Sequence, residues 1–547
     1  MFKLIRPIFW VLSLFFAFAI TVKILTLLFY VQPVGDDFFG VSQLAQKGFW
    51  GANKFIFETW DARYTATFLS LGFQKIIGFR YGYGLSGLFL ICITWLGFFT
   101  LFYFLLSEIN SRFILKFLKA GVFTFVFWAV YWIIAKPDVT NGADSILIGQ
   151  FVYNAGAFCY QTALVLSALS LVWMIYLFKF KNKKNFFYII NYLIFLFILF
   201  LIIGTNEGSA LMILCLLLYA LAQQVIKHGC RNKSQYQSQI NNFSALNFWA
   251  LSFFCFAMGC VIVFYSLGDQ VRMLYYQTYP DQWPYLKDWI SSTQGVVSQS
   301  FFLILFFLIN PIIFLFAWIF YPELKAMLKF STQWVPLADL FCLLLGLIFL
   351  GFFSVVWTMG NFAPPRYYGV MAVLAFWLVL NIWTVIFIYF ETVLLIIKNN
   401  KLLNLFKFLF SIFLLFLLIL IIYARNFFIP VWHDLGAAIQ AGPEFKLQYD
   451  KLWDSLEKAH ARGETSAWID GPPMMVFPKV KLLDYGELYK SRKNGPEKYK
   501  TERCNQIEMD LMDIYKIKNL KYFPEEDPKL KPLGPKIISE PKVENCE

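Results

Sequence analysis

Two adjacent carboxylates, Asp36 and Asp37, come shortly after the first long apolar run of the sequence. Aspartate often caps a helix, and one of the two can cap the amphipathic stretch that follows. Two acids with Pro33 and Gly35 ahead of them are more than a cap requires. Adjacent side chains point in different directions, so we expect the two to have different roles. We predict that Asp37, or less favourably Asp36, accepts the proton of an attacking hydroxyl as a general base.

Further ionisable residues lie at or near the outer ends of other apolar segments: Lys23, Arg63, Glu207, Arg272 and Arg366. Such groups are costly at membrane depth and are more often functional than decorative. The planar fork of arginine fits a phosphate, so Arg272 and Arg366 are expected to bind either a substrate phosphate or a lipid phosphate. Lys23 can instead extend to the outer headgroups, and the alternative to a functional role for Glu207 is a tight turn in which any polar residue would be tolerated.

The segments that must position these groups are long and apolar. Of the 547 residues, 59% are hydrophobic and 20% aromatic, which is more apolar surface than a soluble fold of this size can hide. Because a helix needs roughly 20 apolar residues to cross a bilayer, we predict about eleven helical crossings. The runs lie near 8–30, 85–107, 115–135, 157–178, 186–204, 209–226, 246–267, 300–320, 337–358, 367–395 and 406–424.

Lysine and arginine are concentrated in alternate loops between these runs. Lys3 and Arg6 precede the first run, and Lys181, Lys183 and Lys184 belong to a later basic loop. Cytoplasmic loops carry such an excess. We therefore predict a multi-pass protein with a cytoplasmic N-terminus and, after an odd number of crossings, an external C-terminus. These loops account for the formal charge of +13, so no nucleic-acid partner is expected.

The pattern divides the chain into a transmembrane domain over 1–424 and an external C-terminal domain over 425–547. The transmembrane domain contains a long external loop over 32–84. In this loop, Val41–Gly48 and Phe55–Leu69 have apolar residues at helical spacing, which predicts short helices in the membrane interface.

The C-terminal residues have dense charges and mixed helix and strand signals. Helices are predicted over Pro443–His460 and Glu502–Tyr515, and strands over Ser466–Asp470 and Val480–Tyr485. The predicted fold class is therefore an α-helical polytopic membrane protein with a small C-terminal α/β domain. This domain either selects the acceptor or braces the first external loop.

No cofactor is required by the sequence. The three histidines have no metal-ligand spacing, and a nucleotide-binding glycine-rich loop is absent. A divalent cation can still bind through the carboxylates alone. Cys504 and Cys546 both lie in the external domain, where a disulfide between them is allowed but not required.

Four short motifs resemble, in their order, those of the GT-C superfamily of polytopic glycosyltransferases, most closely a bacterial branch. They are Asp36-Asp37-Phe38, Trp60 to Arg63, Asn206-Glu207 and Leu267 to Arg272, and the segment Met509 to Lys521 is similar to the closing helix of that branch. The fourth motif has Leu for Pro and Asp for Asn. The resemblance implies an enzyme of the bacterial plasma membrane. It would transfer a sugar from a polyprenyl-phosphate or polyprenyl-diphosphate carrier to a glycan or glycolipid acceptor on the extracytoplasmic side.

The residues and the resemblance lead to one mechanistic hypothesis. The acceptor hydroxyl attacks the sugar, an Asp base takes its proton, and arginines stabilise the charge that builds on the departing phosphate, which inverts the anomeric centre. The expected substrate-binding residues are Trp60, Arg63, Tyr64, Glu207, Arg272 and Arg366, and we expect the acid and the arginines to meet in one external cavity.

Three different functions also fit a polytopic chain with external arginines. A transporter or flippase for lipid-linked glycans would need polar residues at mid-membrane and on both sides, whereas those of this chain gather externally. A polymerase or ligase of surface polysaccharide would likewise be polytopic and depend on arginines. An assembly factor without catalysis is the third function that the sequence leaves open.

Overall fold

The protein is described by a computed structural model whose described residues are 2–33, 36–59, 62–106, 113–134, 154–180, 186–229, 236–267, 310–322, 378–391, 449–464, 466–469, 519–522 and 536–539, with single residues and pairs elsewhere between 270 and 516. The helices in these ranges are α1 (Phe2–Leu28), α2 (Asp36–Thr59), α3 (Tyr64–Ile77), α4 (Phe79–Leu105), α5 (Phe113–Ile134), α6 (Asn154–Phe180), α7 (Phe186–Ile203), α8 (Glu207–Gly229), α9 (Tyr236–Phe264), α10 (Asn310–Ile319), α11 (Leu378–Glu391) and α12 (449–461).

The predicted apolar runs are helical wherever the structure describes them at length. Helices occupy all or part of each run from 8–30 through 300–320, and α11 lies in the run 367–395. Only three residues of the run 337–358 are described, and the run 406–424 lies outside the described residues. Within the described part, Gly82–Leu105 and Gly156–Met174 are long and apolar enough to cross a bilayer. The fold is thus compatible with a helical membrane protein, and the number of crossings stays a prediction.

Helix α9 is apolar on its inner and its outer face. Phe256, Cys260 and Val263 are buried against the neighbouring helices α7 and α8. On the other side, large apolar side chains repeat at helical spacing and are exposed, namely Leu251, Phe254, Met258, Val261 and Ile262. A helix that is hydrophobic all round suits a lipid surface better than water.

Most of the loop that the sequence predicts to be external forms two helices, α2 and α3, which are longer than or shifted from the predicted short helices. The predicted stretch Val41–Gly48 is part of the longer α2, which bends at Gly48 because this residue has a φ of 69°. The prediction of one helix over Phe55–Leu69 is wrong, since α2 ends at Thr59 and α3 begins at Tyr64. The first amides of α3 bind a remote partner instead: Thr65 and Ala66 donate to the carbonyl oxygen of Gly204 at 2.8 and 3.1 Å.

The described residues of the C-terminal part include three strands: β1 (Ser466–Ile469), β2 (Asn519–Tyr522) and β3 (Lys536–Ser539). Strand β2 lies between the other two, parallel to β1 and antiparallel to β3. The strand predicted over Ser466–Asp470 is confirmed as β1.

The other C-terminal predictions have mixed outcomes. The helix predicted over Pro443–His460 is confirmed for its described residues. The closing helix expected over Met509 to Lys521 is wrong at its end, because Lys516 has a φ of 54° and β2 begins at Asn519. The strand predicted over Val480–Tyr485 lies outside the described residues. A separate α/β domain and the boundary at residue 425 stay predictions.

Candidate functional site

Asp37 lies in the first turn of α2 and is only 2% exposed. Tyr83, in the first turns of α4 and equally buried, donates its hydroxyl hydrogen bond to Oδ2 of Asp37. Close packing of α4 on α1 makes this reach possible: a Cβ on Gly84 would lie 2.5 Å from the carbonyl oxygen of Leu28. A buried carboxylate needs such donors to offset its lost hydration. The side chain of Asp36 lies outside the described residues.

The linker in front of Asp37 is covered by the C-terminal helix α12. Tyr449 donates its hydroxyl to the carbonyl oxygen of Pro33 at 3.3 Å, and Trp453 donates its indole N–H to Gln32 at 3.3 Å. Trp453 also packs against Phe38, the residue after Asp37, with ring centroids 6.2 Å apart. Helix α12 therefore braces the start of the loop 32–84, and such bracing is one of the two roles that the sequence left open.

Arg80, beside Tyr83 in α4, holds the other side of α12. Its guanidinium group lies 2.9 Å from Asp454, 2.9 Å from Glu457 and 3.5 Å from Asp450. The three acids are spaced at i, i+4 and i+7, so they share one face of the helix. The sequence analysis identified neither Arg80 nor Tyr83. The spacing of the three acids on one face of a predicted helix does indicate a cationic partner.

Arg63 and Glu207 form a bidentate ion pair between the start of α3 and the start of α8. Nε of Arg63 donates to both carboxylate oxygens at 3.1 Å, and Nη2 donates to Oε2 at 3.0 Å. Glu207 is 4% exposed and Arg63 is 21% exposed. Asn206 caps α8 by accepting from the amides of Gly208 and Ser209. The carboxylate of Glu207 is thus buried and specifically paired, which disfavours the alternative that this turn tolerates any polar residue.

Tyr64 is attached to the same turn. Its hydroxyl donates to the carbonyl oxygen of Phe200 at 2.5 Å, and its ring lies on that of Phe200. Burial, and secondarily the nearby Cys260, raises the pKa of the Tyr64 phenol well above its usual range, so the hydroxyl stays a donor. Gly204 leaves the room for this ring, since a Cβ there would overlap it and approach Oγ1 of Thr65 to 2.6 Å.

Helix α6 packs against each helix that carries or begins at one of these residues. These helices are α2 with Asp37, α3 after Arg63, α4 with Tyr83 and α8 with Glu207. Its Cys159 lies 4.0 Å from Nη1 of Arg63, and its Gln161 accepts a hydrogen bond from Thr94 of α4 at 3.2 Å. Thr162 is buried, and within the described part of the chain its hydroxyl has no partner. Polar groups thus line the inside of this end of the bundle.

The structure brings together three of the predicted site residues, Arg63, Tyr64 and Glu207. Asp37 is placed with Tyr83 at the start of α2 and α4. Trp60, Arg272 and Arg366 lie outside the described residues, as do Cys504 and Cys546. The single cavity expected for the acid and the arginines therefore stays a prediction.

Among the described residues, no cluster of three or more histidine, cysteine, aspartate or glutamate side chains could hold a metal ion. The side chain of Asp36 is outside that part of the chain, so a divalent cation bound by the two aspartates stays a prediction.

Comparisons of the chain with family models, with curated proteins and with solved structures find no match. The resemblance to GT-C glycosyltransferases therefore rests on the four motifs and their order.

Proposed function

We propose that the protein is a GT-C-type membrane glycosyltransferase that moves a sugar from a polyprenyl-phosphate carrier to a glycan or glycolipid acceptor. The proposal includes about eleven crossings of the bacterial plasma membrane, a cytoplasmic N-terminus, and an extracytoplasmic C-terminal α/β domain. The observation that carries it is the carboxylate of Asp37, which is buried and accepts the hydrogen bond of the Tyr83 hydroxyl.

In the proposed reaction the acceptor hydroxyl oxygen bonds to the anomeric carbon while the bond from that carbon to the carrier phosphate breaks. Asp37 takes the hydroxyl proton, and the phosphate leaves with the electron pair. Arg272 and Arg366 stabilise its negative charge. Arg63 is a weaker phosphate anchor than expected from sequence, because the carboxylate of Glu207 already balances its charge. We assign the pair of Arg63 and Glu207 a structural role in the site. The proposed reaction still inverts the anomeric centre.

The test is sugar transfer by the purified full-length protein in liposomes, with a panel of polyprenyl-phosphate sugars as donors. Asp37→Asn keeps the side-chain shape and can still accept the Tyr83 hydrogen bond, but it cannot act as a base. We expect it to lose about 10²–10⁴-fold in rate. Arg366→Ala should lower the rate as well. The matched control is Glu58→Gln, which removes an exposed acid from the same helix and should leave the rate unchanged.

Two outcomes would contradict the proposal. Undiminished turnover by Asp37→Asn removes this residue as the base. Failure of the wild type with every donor, together with movement of lipid-linked glycan across the vesicle membrane, indicates a transporter instead.

A further inference from the structure

We propose that α12 is a clamp that sets the position of Asp37, and that Arg80 is the positioning residue through which the clamp acts. The inference rests on the proposed function, because Asp37 matters for rate only if it is the base. It assigns the C-terminal part of the chain a role in the reaction rather than in the choice of acceptor.

Helix α12 contacts two parts of the chain that position Asp37, the linker before α2 and Arg80 of α4. On one side, Tyr449 and Trp453 take the hydrogen-bonding groups of Pro33 and Gln32, in the linker that leads into α2. On the other side, the acids of α12 hold Arg80, three residues before Tyr83, whose hydroxyl binds the Asp37 carboxylate. Both the backbone and the hydrogen-bond donor of Asp37 are thus tied to the same remote helix.

The two kinds of contact contribute differently. Tyr449, Trp453 and Leu456 have no exposed surface, so burial of their apolar area holds α12 in place. The carboxylates of Asp450, Asp454 and Glu457 are between 38% and 53% exposed. Exposed ion pairs stabilise a fold only weakly, but three acids around one arginine, itself 14% exposed, select one rotation and register of the helix.

Positioning is the consequence that distinguishes a clamp from a simple packing contact. An error of about 1 Å in the position of a catalytic group can cost about 10²-fold in rate without changing substrate affinity. If α12 only adds stability, loss of the Arg80 contacts should lower the melting temperature and leave kcat unchanged. If it is a clamp, kcat should fall while KM for the donor stays the same.

The experiment is a charge swap in the full-length protein in liposomes. Arg80→Glu places a fourth acid among the three and should lower kcat about tenfold or more, with little change in KM. Combining it with Asp454→Lys and Glu457→Lys restores opposite charges and should recover most of the rate. The control is Arg462→Glu, which makes the same charge change just after α12, at a side chain that is 69% exposed, and should have no effect.

A second measurement does not depend on turnover. Hydrogen exchange followed by mass spectrometry should become faster in Arg80→Glu at residues 36–42 and 449–461, and should return to the wild-type rate in the charge-swapped protein. Faster exchange at 449–461 alone, or a fall in kcat that the swap does not repair, overturns the clamp. If the wild type transfers no sugar, the proposed function fails, and the exchange at 36–42 still decides whether α12 fixes the Asp37 segment.

Discussion

The ion pair between Arg63 and Glu207 allows the sharpest prediction of stability. Removing one partner of a buried pair costs about 3–5 kcal/mol, because the other charge is left without compensation. Arg63→Met should cost near the upper end, since it strands Glu207, which is only 4% exposed. Glu207→Leu should cost less, because the 21% exposed guanidinium of Arg63 can be reached by water.

The double variant Arg63→Met with Glu207→Leu should be more stable than Arg63→Met alone. Both charges are then absent, and apolar side chains of similar length fill the space, which is often close to neutral. The assay is the apparent melting temperature of the four proteins in one detergent, followed by tryptophan fluorescence at one scan rate. The rank should be wild type and double variant at the top, then Glu207→Leu, then Arg63→Met.

Additivity would refute this reasoning. If the double variant loses the sum of the two single losses, the two side chains are not coupled and the pair does not hold α3 to α8. The matched control is Lys54→Met with Glu58→Leu, an exposed pair with a separation of 3.8 Å, where we expect little change in any variant.

Two further predictions concern the packing around the site. Tyr83→Phe keeps the ring but removes the hydroxyl that binds Asp37, and this should lower the stability of the protein by about 1–3 kcal/mol. It should also lower the transfer rate. The control, Tyr103→Phe, changes a tyrosine near the far end of the same helix and should lower the rate less. Gly204→Ala should destabilise the protein by about 1–3 kcal/mol, because its Cβ would overlap Tyr64. Gly121→Ala, whose Cβ would lie 4.0 Å from the ring of Phe99, should instead be neutral or slightly stabilising in the same melting assay.

Helix positions were predictable because the length of an apolar run limits what the backbone can do in lipid. The break between α2 and α3 was not predictable from the sequence. At this break Arg63 pairs with Glu207, a carboxylate 144 residues away along the chain. Strand β2 was missed for a similar reason: it is four residues long and pairs with β1, whose residue Ser466 is opposite Asn519. Local sequence patterns carry little information about such distant partners.

The candidate site residues also divide into those that the sequence identified and those that only the structure shows. Asp37 and Glu207 were found because a carboxylate beside an apolar run needs an explanation, and each proves to be buried with a specific donor. Tyr83 lies in Phe79-Arg-Tyr-Gly-Tyr-Gly84, where the composition does not mark one tyrosine above another. Arg80 was not marked by its neighbours either, but Asp450, Asp454 and Glu457 on one face of a predicted helix indicate a cationic partner.

The contact between Arg63 and Glu207 also constrains how the chain crosses the bundle. Besides the short α3, four helices, α4 to α7, are described between these residues, and they contain 27, 22, 27 and 18 residues. At about 1.5 Å per residue they are about 27 to 40 Å long. Helices α5 and α6 both pack against α4, and α7 packs against α6.

An even number of passes through such a bundle returns Glu207 to the end where Arg63 lies. One pass more or fewer would separate the two groups by the length of a helix and would forbid a bond of 3.0 Å. Within the described residues, the pair is therefore compatible with the even number of crossings predicted between Arg63 and Glu207, and the outward orientation of this end stays a prediction from the loop charges.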